Sequence, residues 1–469
     1  MAWERYCAIR GVDYLQTLID QVLPSMKSAM ESVGIQGDYW QKMLGRSKEA
    51  SQGDLALPCF PFAKQLGCSP DEAAQRIANA LNLEIGKAVA VGPYVNIRAS
   101  MDWLLGQLSH SADPKSSILI EHTSANPNGP FHVGRARNAV LGDTFARMYR
   151  AAGYDVTSEY YVDDMGKQVG ILCWALENLN ESRVQALLAE GEIPIEDSPH
   201  SSKEDHARVL WYQAANLLRA QDPTVDAGVT ELVQKSEEAD ADILNRFENA
   251  YQPVLDGMLV TLARMGITFD TFTKESKFIV DGSVEVLMDQ LQSSDLHGVA
   301  ENGAHFLELE SKGVKGKSTQ FYYRRGDGSS LYATRDLAYH QHKWSRSTRL
   351  LNILGEDHKL QSKQVSIALE ELGIKSPEVV FYAFTKLADG KMSTRRGNVV
   401  YMDDLLDEAQ ARALETVREI RADLPEEKLL DIAEAVGVSA TRFNIAKISP
   451  EKGIKLFIDW YKSFYENEK

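Results

Sequence analysis

Apolar positions in this chain fall into short blocks whose spacing switches between strand and helix periods, and the switch is clearest between Ile118 and Arg150. Ile118, Leu119 and Ile120 form a strand-type run, and Asn126, Pro127, Asn128, Gly129 and Pro130 break it. Val133, Ala136, Val140, Leu141, Phe145 and Met148 then recur at helical spacing. In an open parallel sheet this order delivers a loop and a positively polarised helix N-terminus to the carboxyl edge of the strands, where phosphates bind. Gly134 would let a flat ring lie against the backbone and His132 would stand at the mouth, so a nucleotide is the natural occupant. Any strand-to-helix unit needs a turn, however, and His132 taken alone fits a satisfied core histidine equally well.

Residues 1–112 form a separate small α/β domain in this pattern. Ser69-Pro70-Asp71-Glu72 is a helix start, with a Ser cap, Pro at the first position and Glu three residues on, and Ala73, Ala74, Ile77 and Leu81 continue it. Gly92 to Arg98 alternates as a strand, and Ser111 to Pro114 punctuates the end. Tyr154 to Val162 predicts the next strand, ending at Asp163 and Asp164. That carboxylate pair fits metal or acid-base chemistry, but also a capped turn. Residues 113–170 are therefore assigned to the first half of a Rossmann-like sheet and 171–302 to a mostly helical, acidic insertion. The second half, 303–400, resumes with runs at Gln320–Tyr323, Leu331–Asp336, Leu350–His358 and Val379–Phe384, each followed by polar residues as at a switch-point site. In Leu387 to Asn398, Lys391, Arg395 and Arg396 lie between two glycines beside Ser393 and Thr394, which suits closure over a polyphosphate or, alternatively, a basic surface turn.

Composition narrows this only modestly. With 469 residues, 44% hydrophobic and 25% charged, the chain can bury more than one core. It has no continuous apolar stretch of spanning length and no signal-peptide pattern at its start, which gives a cytoplasmic expectation. Cys7, Cys59, Cys68 and Cys173 lack paired spacing, so no zinc or disulfide framework is expected, and no protein-held metal is assigned. A net charge of -16 argues against whole-surface attraction to nucleic acid without excluding a local basic groove.

Taken together, His132-Val133-Gly134-Arg135 resembles the first signature of class I aminoacyl-tRNA synthetases, and Lys391-Met392-Ser393-Thr394-Arg395 resembles the second. Glu121 to Pro130, Tyr160 to Gln168, Leu331 to Asp336 and Gly355 to Gln361 narrow the likeness to archaeal-type arginyl-tRNA synthetase, over about residues 10 to 455. The resemblance implies that ATP, with Mg2+, activates L-arginine to the adenylate, which is then transferred to the 3′ end of tRNA(Arg). It assigns catalysis to His132, Arg135, Lys391, Arg395 and Arg396. It implies ATP contacts from Pro130, His132, Gly134, Asn138, Gly355, Asp357, His358, Lys391, Met392 and Ser393. It places arginine among Glu121, Asn126, His132, Tyr332, Asp336 and Gln364, since a guanidinium needs planar carboxylate partners.

Four departures qualify it. Arg135 replaces a second His, Thr394 replaces a Lys, and Asp163 stands where Asn is expected, adding negative charge near the pocket. After Ile448 to Lys452 only the rest of a helical segment, 401–469, remains, too short for the family's anticodon-reading bundle. Two alternatives thus stay open, a synthetase-derived ligase that gives arginine to a non-tRNA acceptor and an inactive arginine-binding relative.

Overall fold

The computed structural model describes residues 14–47, 51–104, 116–195, 198–316, 318–387, 399–452 and 454–456. Two compact units emerge, one comprising 1–116 with 147–155 and the other 117–146 with 156–469.

In the first unit, strands β1 (Gly45–Arg46), β2 (Leu55–Pro58), β3 (Gly86–Val91) and β4 (Tyr94–Ala99) form an antiparallel sheet in the order β1-β2-β4-β3. Helices α1 (Tyr14–Ser32), α2 (Phe60–Leu66) and α3 (Pro70–Ala80) accompany it. The start of α3 follows the sequence, with the Ser69 hydroxyl accepting the Glu72 amide at 3.2 Å. Ala73, Ala74 and Ile77 of α3 join Trp40, Phe62, Val95 and Ile97 in one buried core.

The second unit is built on a five-stranded sheet in the order β12-β11-β5-β6-β7. Its strands are β5 (Ser117–Glu121), β6 (Asp155–Val162), β7 (Thr271–Lys274), β11 (Arg349–Gly355) and β12 (Glu378–Tyr382). Strand β11 pairs in parallel with β5 and β12, and β6 with β7. Ile118, Leu119 and Ile120 are all buried, because a parallel sheet is covered on both faces and an unbroken apolar run suits it. Helix α4 (Val133–Ala151) follows β5, and α5 (Lys167–Asn178), α6 (Glu181–Glu190), α7 (Glu204–Gln221), α8 (Pro223–Glu237) and α9 (Ala241–Arg264) follow β6. Val133, Ala136 and Val140 share a core with Phe247, Tyr251 and Met258 of α9. No helix among the described residues is long and apolar enough to cross a membrane.

Three sequence expectations are corrected. Residues 171–302 are not wholly an insertion beside the sheet, because Thr271–Lys274 pairs with β6 as a strand of it. Gln320–Arg324 (β10) does not resume the parallel sheet; it pairs antiparallel with β9 (His305–Glu308), which pairs with β8 (His297–Val299). Between β7 and β8 lie α10 (Lys277–Val280) and α11 (Ser283–Gln292). Leu331–Asp336 is not a strand run: Tyr332–Trp344 is helix α12, whose Ala333, Leu337 and Ala338 pack at helical spacing against Phe278 and Leu287. Helices α13 (Lys359–Glu371), α14 (Met402–Ile420) and α15 (Glu426–Ala446) follow, with short parallel strands β13 (Thr385–Leu387) and β14 (Ile454–Leu456).

Candidate active site

A cavity of about 620 Å³ opens at the carboxyl ends of the parallel strands. Glu121 ends β5, Gly355 ends β11 and Tyr382 ends β12, while Asp163 follows β6 and Glu275 follows β7; all five line it. The chain leaves β5 toward β6 on one side, whereas β11 and β12 lie on the other. The reversal between β5 and β11 is therefore the switch point at which such sheets bind ligands.

The loop after β5 is held in an unusual shape. Thr123 and Ser124 have φ of 70° and 36°, conformations that cost about 1–3 kcal/mol each and persist only where neighbours enforce them. Asn138 of α4 does so from one side, accepting the Thr123 amide at 2.9 Å while donating to the Ile353 carbonyl at 2.9 Å. From the other, the Tyr161 amide donates to Ser124 Oγ at 3.1 Å and the Tyr160 hydroxyl to the Ala125 carbonyl at 2.5 Å. Below the loop, His122 lies so near Gly142 that a Cβ there would meet its ring at 2.2 Å. Arg135 lines the cavity with its guanidinium tied to the Asn126 carbonyl at 2.9 Å and Asn128 Oδ1 at 3.4 Å, so it braces the loop.

One wall is an acidic slot. Tyr332, Asp336, His340 and Lys343 lie four, four and three residues apart along α12, and so share a face. Asp336 and Tyr332 meet Glu121 and Asn126 in the cavity lining. Burial alone would raise the Asp336 carboxyl, but the adjacent His340, which hydrogen-bonds to it, and the electrostatic pull of Lys343 and His358 outweigh it and hold the group below the usual carboxylate range. The slot is thus anionic before anything binds.

Asp163 behaves differently from the expected extra charge. Burial pushes it and Glu275 upward, Glu275 to about 8, although Arg335 bridges Glu275 and Glu237. The Gly166 amide donates to Asp163 at 2.9 Å. Burial thus disfavours the charged form of both carboxyls, and neighbouring negative charge adds to this at Glu275.

The nucleotide assignments divide. Asn138, Gly355, Asp357 and His358 line the cavity beside Phe384, whereas Pro130, His132 and Gly134 do not. His132 is buried and clamped by a backbone bridge to Tyr401, with the Val133 amide on the Val400 carbonyl and the Met402 amide on that of Phe131. Its Nδ1 has no hydrogen-bond partner among the described residues. Burial and the Arg135 charge lower its pKa to about 3, so the imidazole is neutral near pH 7. Gln364 is also outside the lining, donating to the Ser318 and Gln320 carbonyls at 2.9 and 3.4 Å; Gln361, one turn earlier, faces the cavity instead. Lys391, Met392, Ser393, Thr394, Arg395 and Arg396 lie outside the described residues. Asp205, His206 and Asp403 cluster tightly enough for a metal, yet the Lys203 ammonium already fills that place, 2.7 Å from Asp403 and 3.4 Å from Asp205.

A parallel sheet with a ligand crevice at its reversal, lined by a braced loop and the N-terminal half of α4, defines a doubly wound nucleotide-binding domain. Residues 104–452 match the family described as tRNA synthetases class I (R), catalytic domain, and 13–99 match the arginyl tRNA synthetase N terminal domain. The arginine-tRNA ligase of Methanocella arvoryzae is 38% identical over 93% of this chain and 76% of its own, and that of Methanothermobacter thermautotrophicus 38% over 92% and 75%. The solved arginyl-tRNA synthetase of Thermus thermophilus has the same fold, with a TM-score of 0.60 at 23% identity over 92% of this chain and 76% of that one. The chain belongs to the arginyl-tRNA synthetase family of class I tRNA synthetases.

Proposed function

We propose that this chain activates L-arginine with ATP and transfers it to the 3′ end of tRNA(Arg). The observation that carries the reading is the pairing of Glu121 with Asp336 in one cavity at the switch point, where a guanidinium finds planar acceptors and a nucleotide finds the β11 edge. The arginine carboxylate attacks the α-phosphorus and pyrophosphate leaves. A ribose hydroxyl then displaces AMP from the adenylate. Nothing in this sequence of steps needs a covalent enzyme intermediate, so the chain contributes position and charge.

Asp336, Glu121, Asn126 and Tyr332 hold the amino acid in this reading, and Asn138, Gly355 and His358 border the nucleotide. Lys391 and Arg395 or Arg396, by sequence, neutralise the departing pyrophosphate. Magnesium takes hard oxygen donors together with phosphate oxygens, and the exposed Asp357 carboxylate on the cavity wall is a donor of that kind. Bound there, the ion would offset phosphate charge.

Arginine-dependent exchange of pyrophosphate into ATP, with and without tRNA, tests the proposal alongside charging of tRNA(Arg). Exchange and charging are expected. Exchange without charging would point to another acceptor, and absence of both would leave an arginine-binding relative.

A further inference from the structure

Behind the acidic slot lies a buried cation that the chemistry above does not use. Lys343 has a side chain with no solvent exposure, seven residues beyond Asp336 on α12. Its ammonium donates to Glu121 Oε2 at 2.8 Å and to Asn352 Oδ1 at 3.0 Å, and stands 4.2 Å from the centre of the Tyr339 ring. Burying an ammonium is costly unless acceptors surround it, and these partners supply them.

The network also fixes a histidine. Because Asn352 gives its oxygen to Lys343, its amide nitrogen is left to donate to His340 Nε2, 2.9 Å away. His340 Nδ1 then carries the proton, facing the Asp336 carbonyl at 2.7 Å and carboxylate Oδ1 at 3.2 Å. One buried chain thus runs from Lys343 to both carboxylates of the slot. On the Glu121 side, Oε2 is spent on Lys343, while Oε1 accepts the Ser124 hydroxyl at 3.3 Å.

Resting on the reading of this cavity as an arginine site, we infer that Lys343 is a positioning residue that sets arginine specificity by occupying one oxygen of Glu121 and, through Asn352 and His340, aiming Asp336. Lys343 then engages one oxygen of Glu121 and His340 one of Asp336, so the guanidinium is shared between the remaining oxygens of the two carboxylates.

An ammonium that merely repelled the substrate would give the opposite sign on removal, so kinetics decide. Pyrophosphate exchange is measured on the full chain with tRNA(Arg) present, varying arginine and ATP separately. Lys343→Met is expected to raise the arginine KM about thirtyfold or more while ATP KM and kcat stay within about fivefold, and Lys343→Arg to restore most of the arginine KM. An arginine KM that is unchanged or lower in Lys343→Met overturns the inference, as does equal damage to both KM values, which marks a merely structural lysine. If Lys343→Met does not fold, Asn352→Ala is expected to raise arginine KM about tenfold alone, and an unchanged value overturns the inference. A wild-type chain without arginine-dependent exchange sinks the functional reading and this inference together, whereas a normal wild type beside an unaffected variant sinks the inference only.

Discussion

The two halves of the cavity are built to different rules. Around the acidic slot, Glu121, Asp336, His340, Lys343 and Asn352 are already joined by hydrogen bonds, with Lys343 fully buried. On the β11 side, Asp357 and His358 are at least half exposed, and their mutual contact is a loose 3.8 Å. A small cation must be told from other small cations, which requires charges fixed before it arrives, since a buried charge that reorients on binding spends binding energy on itself. A triphosphate brings its own large charge and counter-ions, and exposed groups suffice to meet it.

This contrast can be broken most directly at Asp336. Asp336→Ala is expected to raise the arginine KM about a hundredfold, close to 3 kcal/mol, with the ATP KM largely kept. Unchanged arginine affinity in the exchange assay would place the amino acid elsewhere. A gentler perturbation of the same half is Gly142→Ala, whose Cβ would push His122 against Thr123, bonded to it at 2.9 Å. Thermal unfolding should show a loss of about 1–3 kcal/mol, with arginine KM rising more than ATP KM; a variant of native stability would mean that the loop does not rest on this contact.

Acid sharpens the comparison from a third side. His132 has its folded pKa lowered to about 3 from 6.5, so the unfolded chain binds the extra proton as pH drops below 6.5. Stability present above that pH is lost on the way down, at about 1.4 kcal/mol per pH unit at most. His132→Asn should therefore narrow the fall in melting temperature between pH 6.5 and 5, and parallel curves would refute the burial argument. The smallest effect belongs to the exposed half, where His358→Ala should alter ATP KM by no more than about fivefold. A larger loss would show that this half is preorganised too.

How much of this was legible beforehand varies by residue. The β5–loop–α4 unit and the cap at Ser69 follow from patterns within a few positions of each residue, whereas the grouping of Glu121, Asn126, Tyr332 and Asp336 came only from the resemblance to the family. Lys343, His340 and Asn352 came from neither. For His340 and Lys343 the signal was present, since Tyr332, Asp336, His340 and Lys343 repeat at helical spacing, but reading Leu331 to Asp336 as a strand hid it. The resemblance pointed to Gln364, but Gln361 one helical turn earlier lines the cavity, because only the orientation of α13 decides which amide enters it. Asp163 looked like added charge because sequence carries no measure of burial.

By itself, the sequence determined the periodicities, the breaks and the signature residues, because helix and strand propensities and turn chemistry act over a few neighbouring positions. It also pointed to a nucleotide-binding switch point, to which the family resemblance added the paired carboxylates. The tertiary structure decided which strands join the sheet, which side of α12 faces the slot, and which charges lose their water. Those depend on contacts between residues hundreds of positions apart, such as the 2.8 Å bond from Lys343 to Glu121, and an ion's protonation and reach are set by the surroundings that such contacts create.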